Sequence, residues 1–198
     1  MATNFEELKK FMDETGLMYE ANDELQAIAI GFSADPEERT YRNPESNEPV
    51  VEMNVRLVED GEFVAVIAPQ AWDLSACENR AAVCEAACRM AARLKLLRFD
   101  LDDEDCLQPN VELALEDAPM CSNQLHRAIR AVLMTVWEFD PVIRHAMETG
   151  VVDLSLAHRN RPQLPGDISR ILELGDAAGG LDALEQLLGG DGAPPVQS

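Results

Sequence analysis

The sequence predicts an α+β fold: an antiparallel sheet of about five strands with helices on one face, in the order α-β-β-β-α-β-β-α, followed by a helical or partly disordered C-terminal tail. Three patterns carry that expectation. In VVEMNVRLV at 50–58, Val51, Met53, Val55 and Leu57 face one way and Glu52, Asn54 and Arg56 the other. Asp60-Gly61, a type I′ turn signal, then leads into EFVAVIA at 62–68, which completes a hairpin. Further on, Leu97, Phe99 and Leu101 alternate with Arg98, Asp100 and Asp102, and Val111, Leu113 and Leu115 alternate with Glu112 and Glu116 across an acidic turn at 102–105. Helical periodicities lie before, between and after these hairpins, so turns rather than helical crossovers join the strands.

Taken in order, Thr3 and Glu6 read as a capping box for a helix over about 4–14, with Phe5, Leu8, Phe11 and Met12 on one face and Gly16 as its stop. LQAIAIGF at 25–32 places Ile28, Ile30 and Phe32 on one side of a strand. The polar stretch 33–49, holding Pro36, Pro44 and Pro49, reads as a mobile loop. Ser75 and Glu78 form a second capping box, opening an Ala-rich helix to about residue 97 with Val83, Ala87, Met90 and Leu94 as its apolar stripe. Ser122 caps a third helix carrying Leu125, Ile129, Leu133, Val136 and Trp137. Asp140-Pro141 restarts or kinks it, as an N-cap followed by proline at the first helical position, and Gly150 ends it.

The composition excludes whole classes of function. Of 198 residues, 37 are acidic and 16 basic, a net charge of −21, which repels phosphate backbones and anionic lipid surfaces. The expectation is therefore no nucleic-acid partner and no membrane partner, and a partner with basic segments is favoured. Apolar residues make up 46 % of the chain, enough for a core, and only 5 % is aromatic, so that core must be aliphatic. MATNFEELKK has no apolar signal region and no run of 18 apolar residues occurs, which reads as a cytoplasmic chain. Five cysteines without a CxxC, an odd count, are expected to be reduced.

The hairpin NVRLVEDGEFVAVIA at Asn54–Ala68, the Ala/Leu helix after it and LLRFDLDDEDCLQPNVELALED at 96–117 together resemble the YbjN family within the type III secretion chaperone-like fold. The resemblance spans roughly residues 4–150. It departs at the second turn, where Glu104-Asp105 stands in place of an expected glycine, and the stretch 159–198 has no counterpart in the small members. It implies a small acidic protein without catalysis. Secretion chaperones of this fold dimerise and hold extended segments of another polypeptide. No functional residue of the family maps onto a single position here.

Candidate chemistry is sparse. Cys77, Cys84 and Cys88 share a helical face with Ala81 and Ala92, but Cys77 and Cys88 stand about 16 Å apart along a helix, too far for one metal centre. Packing by small side chains is the expected role, against a helix, the sheet or a second copy. The run Asp100, Asp102, Asp103, Glu104 and Asp105 fails as an EF-hand, since position six is Asp105 and position twelve is Val111. His126 and His145 are expected at the surface. GxSxG, a Walker loop and GxGxxG do not occur, so neither catalysis nor a cofactor or metal is expected.

These observations divide the chain into a YbjN-like domain over 1–153 and a Pro/Gly-rich tail over 154–198. The functional expectation is a chaperone-like, non-catalytic binding module, a homodimer engaging an extended segment of a client protein or peptide. The alternative is a structural or regulatory protein whose tail docks on its own domain or in trans. Val50, Val58, Val64, Val66 and Ala68 form the candidate partner or dimer surface. Ile168, Ile171, Leu172, Leu181, Leu184, Leu187 and Leu188 are the candidate docking residues of the tail.

Overall fold

The computed structural model describes residues 3–33, 39–115 and 120–159. Its elements are α1 (Phe5–Thr15), β1 (Glu20–Asn22), β2 (Ala27–Ser33), β3 (Val50–Val58), β4 (Phe63–Ile67), β5 (Trp72–Asp73), α2 (Arg80–Ala91), β6 (Leu97–Leu101), β7 (Cys106–Ala114) and α3 (Ser122–Thr149). The α+β class and the antiparallel sheet are as expected, but the sheet has seven strands rather than about five. The two additions, β1 and β5, are three and two residues long, too short to show periodicity.

Strands β1, β2, β3 and β4 pair in sequence, and β4 pairs β7. Asn110 and Val111 of β7 pair with β4 and also with β6, which places those two strands on opposite edges of β7. Leu107 is shared in the same way by β5 and β6, so β5 continues β4's edge. The register builds one transverse row, Ile28–Val55–Val66–Val111–Leu97, in which all five side chains are buried. That row marks the face covered by helices. α3 packs over β4 and β7, and α2 packs on α3 and β6.

The register also corrects the candidate surface. Val64 lies opposite Leu57, and Val66 opposite Val55, so both face the helices and are wholly buried; Ala68 is buried too. β4 is central, and four of its five residues are buried, the outward-facing Ala65 and Ile67 among them. Only Val50 and Val58 belong to the outer face, both half-buried. The turn at 59–62 is wider than a two-residue hairpin loop, and Glu59, Asp60 and Gly61 all take positive φ (52°, 54° and 90°).

Helix ends differ from the sequence reading at three places. The capping box of α1 is Asn4 with Glu7, the Glu7 N–H donating to Asn4 Oδ1 at 2.9 Å. Thr3 instead accepts from the Met120 N–H at 2.9 Å, tying the N-terminus to the start of α3. Ser75 does not cap α2, since its N–H is taken by Asp73 Oδ1 at 2.8 Å, and α2 runs from Arg80 to Ala91 rather than from 75 to 97. Asn79 reaches across to the Met147 carbonyl at 2.9 Å. The buried stripe of α2 is Val83, Ala86, Ala87 and Met90, so Ala81, Cys84, Cys88 and Ala92 are exposed and the expected small-residue packing is not made among the described residues. In the second hairpin Asp105 occupies the left-handed position (φ 64°) where glycine was missed, and Arg80 clamps its carboxylate at 2.8 Å.

α3 is one helix through Asp140-Pro141, neither restarted nor broken, with buried residues on both sides of the proline. Tertiary burial outweighs the loss of one helical hydrogen bond, about 3 kcal/mol. Asp140, fully buried, is not a cap. Its carboxylate accepts from Trp72 Nε1 at 3.0 Å, Thr40 Oγ1 at 2.7 Å and Arg144 Nε at 3.0 Å, and Arg144 Nη2 donates to the Arg42 carbonyl at 3.2 Å. Arg39 lies 4.2 Å from the Trp137 ring centroid, and Tyr41 and Asn43 are buried. Residues 39–43 are thus a pinned strap rather than part of a mobile loop. Burial holds the Tyr41 hydroxyl well above its ordinary pKa.

His126 is buried in α3, against expectation. Neither ring nitrogen has a hydrogen-bond partner among the described residues, and burial pushes its pKa down, opposed only by Glu14. Leu154–Arg159 form a 3-10 turn on α3 with Ala157 buried. Among the described residues, no helix is long and apolar enough to cross a membrane.

Three outcomes follow from this packing. Val66→Ala should destabilise the protein by roughly 2 kcal/mol, from lost methyl burial and a cavity. Val58→Ala should stay under about 1 kcal/mol, and urea unfolding of the pair distinguishes core from surface. Asp140→Ala, which orphans the Trp72 and Thr40 donors, should lose about 3 kcal/mol by the same measurement, against about 1 kcal/mol for Thr40→Val. Because His126 has a lowered pKa in the folded state, the unfolded chain takes up its proton first. Stability should therefore be flat in this group above about pH 6.5 and fall as pH drops below it. His126→Leu should remove that component of a pH series of unfolding midpoints.

A candidate binding trough on the outer sheet face

Side chains alternate along a strand, so the row that builds the core dictates the opposite face. β2 carries Ala27, Ala29 and Gly31 there, small residues interleaved with the buried Ile28, Ile30 and Phe32. Two transverse rows result: Glu20–Ala29–Asn54–Ile67–Asn110–Arg98 and Asn22–Ala27–Arg56–Ala65–Glu112. Where the side chains are short, the surface sinks into a trough of about 590 Å³.

Five strands contribute to its lining: Glu20, Ala21 and Asn22 from β1, Ala27 and Ala29 from β2, Asn54 and Arg56 from β3, Ile67 from β4 and Gln108 from β7. Leu25, exposed in the turn before β2, and Pro69 close the ends. The floor is aliphatic. Three carboxamides supply both donors and acceptors, and one guanidinium and one carboxylate supply charge. No serine, cysteine or histidine is among the described lining residues. The arrangement can hold a chain by apolar contact while hydrogen-bonding its amide groups.

Beside the trough, two acidic outer-face groups, Glu112 and Asp100, are engaged. Arg98 reaches Glu112 at 2.6 Å and Asp100 at 3.1 Å, and Asn110 Nδ2 donates to Asp100 at 2.9 Å. Two shallower depressions share Asp73. One, of about 360 Å³, includes Glu78 and Glu148; the other, of about 240 Å³, includes Glu45 and Glu104. Ser75, through its hydroxyl and its backbone N–H, holds the Asp73 carboxyl below the usual carboxylate range. These carboxylates give that end of the molecule a negative surface.

The sequence-predicted surface residues do not come together. Val50 and Val58 lie at the two ends of β3 and outside the trough, while Val64, Val66 and Ala68 are core, so the apolar support for self-association shrinks to two half-buried valines. Ile168, Ile171, Leu172, Leu181, Leu184, Leu187 and Leu188 lie outside the described residues. The trough residues themselves were missed. Their signal is present in AIAIGFS, where every outward position of β2 is small.

No family model and no curated protein sequence matches the chain. Among solved structures, YbjN from E. coli, named there "a putative transcription regulator", is similar in fold, with a TM-score of 0.43 and 15 % identity. The match covers 71 % of this chain and 94 % of that one. The likeness is one of fold alone.

Proposed function

We propose that this chain is a non-catalytic binding module that holds an extended segment of another polypeptide across the outer face of its sheet. The observation that carries the reading is the trough itself, which crosses five strands and combines a small aliphatic floor with carboxamides. Four interstrand spacings of roughly 4.8 Å make a path of about 19 Å, the length of about six extended residues. Asn22, Asn54 and Gln108 stand where amide groups of such a segment would need partners. The shallow floor at Ala27 and Ala29 lets a main chain approach closely. The alternative, a tail that docks on its own domain, rests on residues outside those described.

The test is selection of binders from a phage-displayed library of random 12-residue peptides on the full chain. Selected peptides should bind the wild-type protein and weaken about tenfold or more on Ala29→Trp, which fills the trough with an exposed side chain and should leave the unfolding midpoint unchanged. Binders indifferent to Ala29→Trp would sink the reading.

A further inference from the structure

Arg56 is the single cation among the described lining residues of the trough, and its guanidinium makes no ion pair or hydrogen bond with the described residues. The register explains how it is kept so. Its cross-strand neighbours are Ala27 on one side and Ala65 on the other, neither able to pair with it. The next carboxylate in that row, Glu112, is taken by Arg98 at 2.6 Å, and so is Asp100 at 3.1 Å. Small neighbours also leave the guanidinium exposed and free to present a planar donor fork.

Resting on the proposed peptide-holding role, the geometry points to a specificity element: Arg56 receives a carboxylate of the bound segment, so the partner is an extended peptide with an aspartate or glutamate over Arg56. Arginine and carboxylate are matched in shape and charge, and the pair supplies direction as well as attraction. Glu20, in the adjacent row, disfavours a second acid at the β1 end and thereby sets the register of the segment. This selectivity is opposite in sign to what the net charge of −21 alone would favour, because the local unpaired cation acts within contact distance while the diffuse charge is screened over about 8 Å.

The experiment uses the tightest 12-residue peptide selected on the full chain, its Asp→Asn or Glu→Gln counterpart, and three proteins: wild type, Arg56→Gln and Ala29→Trp. Fluorescence anisotropy reads each affinity. The expected result is an acidic residue in the selected consensus, an about tenfold loss when either the peptide acid or Arg56 is neutralised, and no further loss when both are. A peptide that depends on the trough, by its sensitivity to Ala29→Trp, but shows no coupling between its acid and Arg56 overturns the inference and leaves the peptide-holding reading standing. Binding indifferent to Ala29→Trp overturns both. Self-association of the wild type, abolished by Ala29→Trp in sedimentation equilibrium, assigns the trough to a second copy and overturns the peptide assignment.

Discussion

The row Ile28–Val55–Val66–Val111–Leu97 is the constraint on which the rest of the molecule depends. It crosses five strands with wholly apolar, branched side chains and is covered by the helices. A shift of one residue in any of these pairings would carry an entire strand's apolar set to the other face. The same parity that buries Val66 turns Ala65 and Ile67 outward, and the same parity that buries Ile28 turns Ala27 and Ala29 outward. Core and trough floor are therefore two consequences of one register.

A second constraint joins parts of the chain that are distant in sequence. Asp140 gathers Thr40 from the strap, Trp72 from β5 and Arg144 from its own helix. A buried carboxylate is tolerable only when its oxygens are satisfied, and here every donor comes from a different kind of element. The strap at 39–43 gains order from this pin and from the stacking of Arg39 on Trp137. Length and polarity alone would describe that segment as a free loop. The pin also accounts for the unbroken course of α3 through Pro141, since the helix is held on both sides of the proline by contacts that a kink would disturb.

Charge is distributed with similar economy. Arg98 ties up Glu112 and Asp100 along the β6–β7 pair, Arg80 ties up Asp105 at the second turn, and Asp73 sits between two acidic depressions. Exposed ion pairs of this kind contribute little to stability individually. The Arg98–Glu112 pair also has a spatial consequence: it engages the carboxylate that shares a transverse row with Arg56.

What the sequence by itself determined is the α+β class, the two long hairpins and the inward set of β2 and β3, because period-two alternation over five or more residues is a local signal that burial then enforces. Gly16 and Gly150 likewise ended their helices where the chain needed a left-handed residue. Only the tertiary structure decided the facing of β4, where both sides are apolar and alternation carries no information. It alone decided the roles of Thr3, Ser75 and Asp140, whose side chains could serve a local cap or a distant partner. His126 reads as polar in the sequence yet is buried, because α3 is covered around most of its circumference. The trough belongs to the same category. Its small residues are legible one at a time, but their alignment into a channel exists only once four neighbouring pairings have set β1, β2, β3, β4 and β7 side by side.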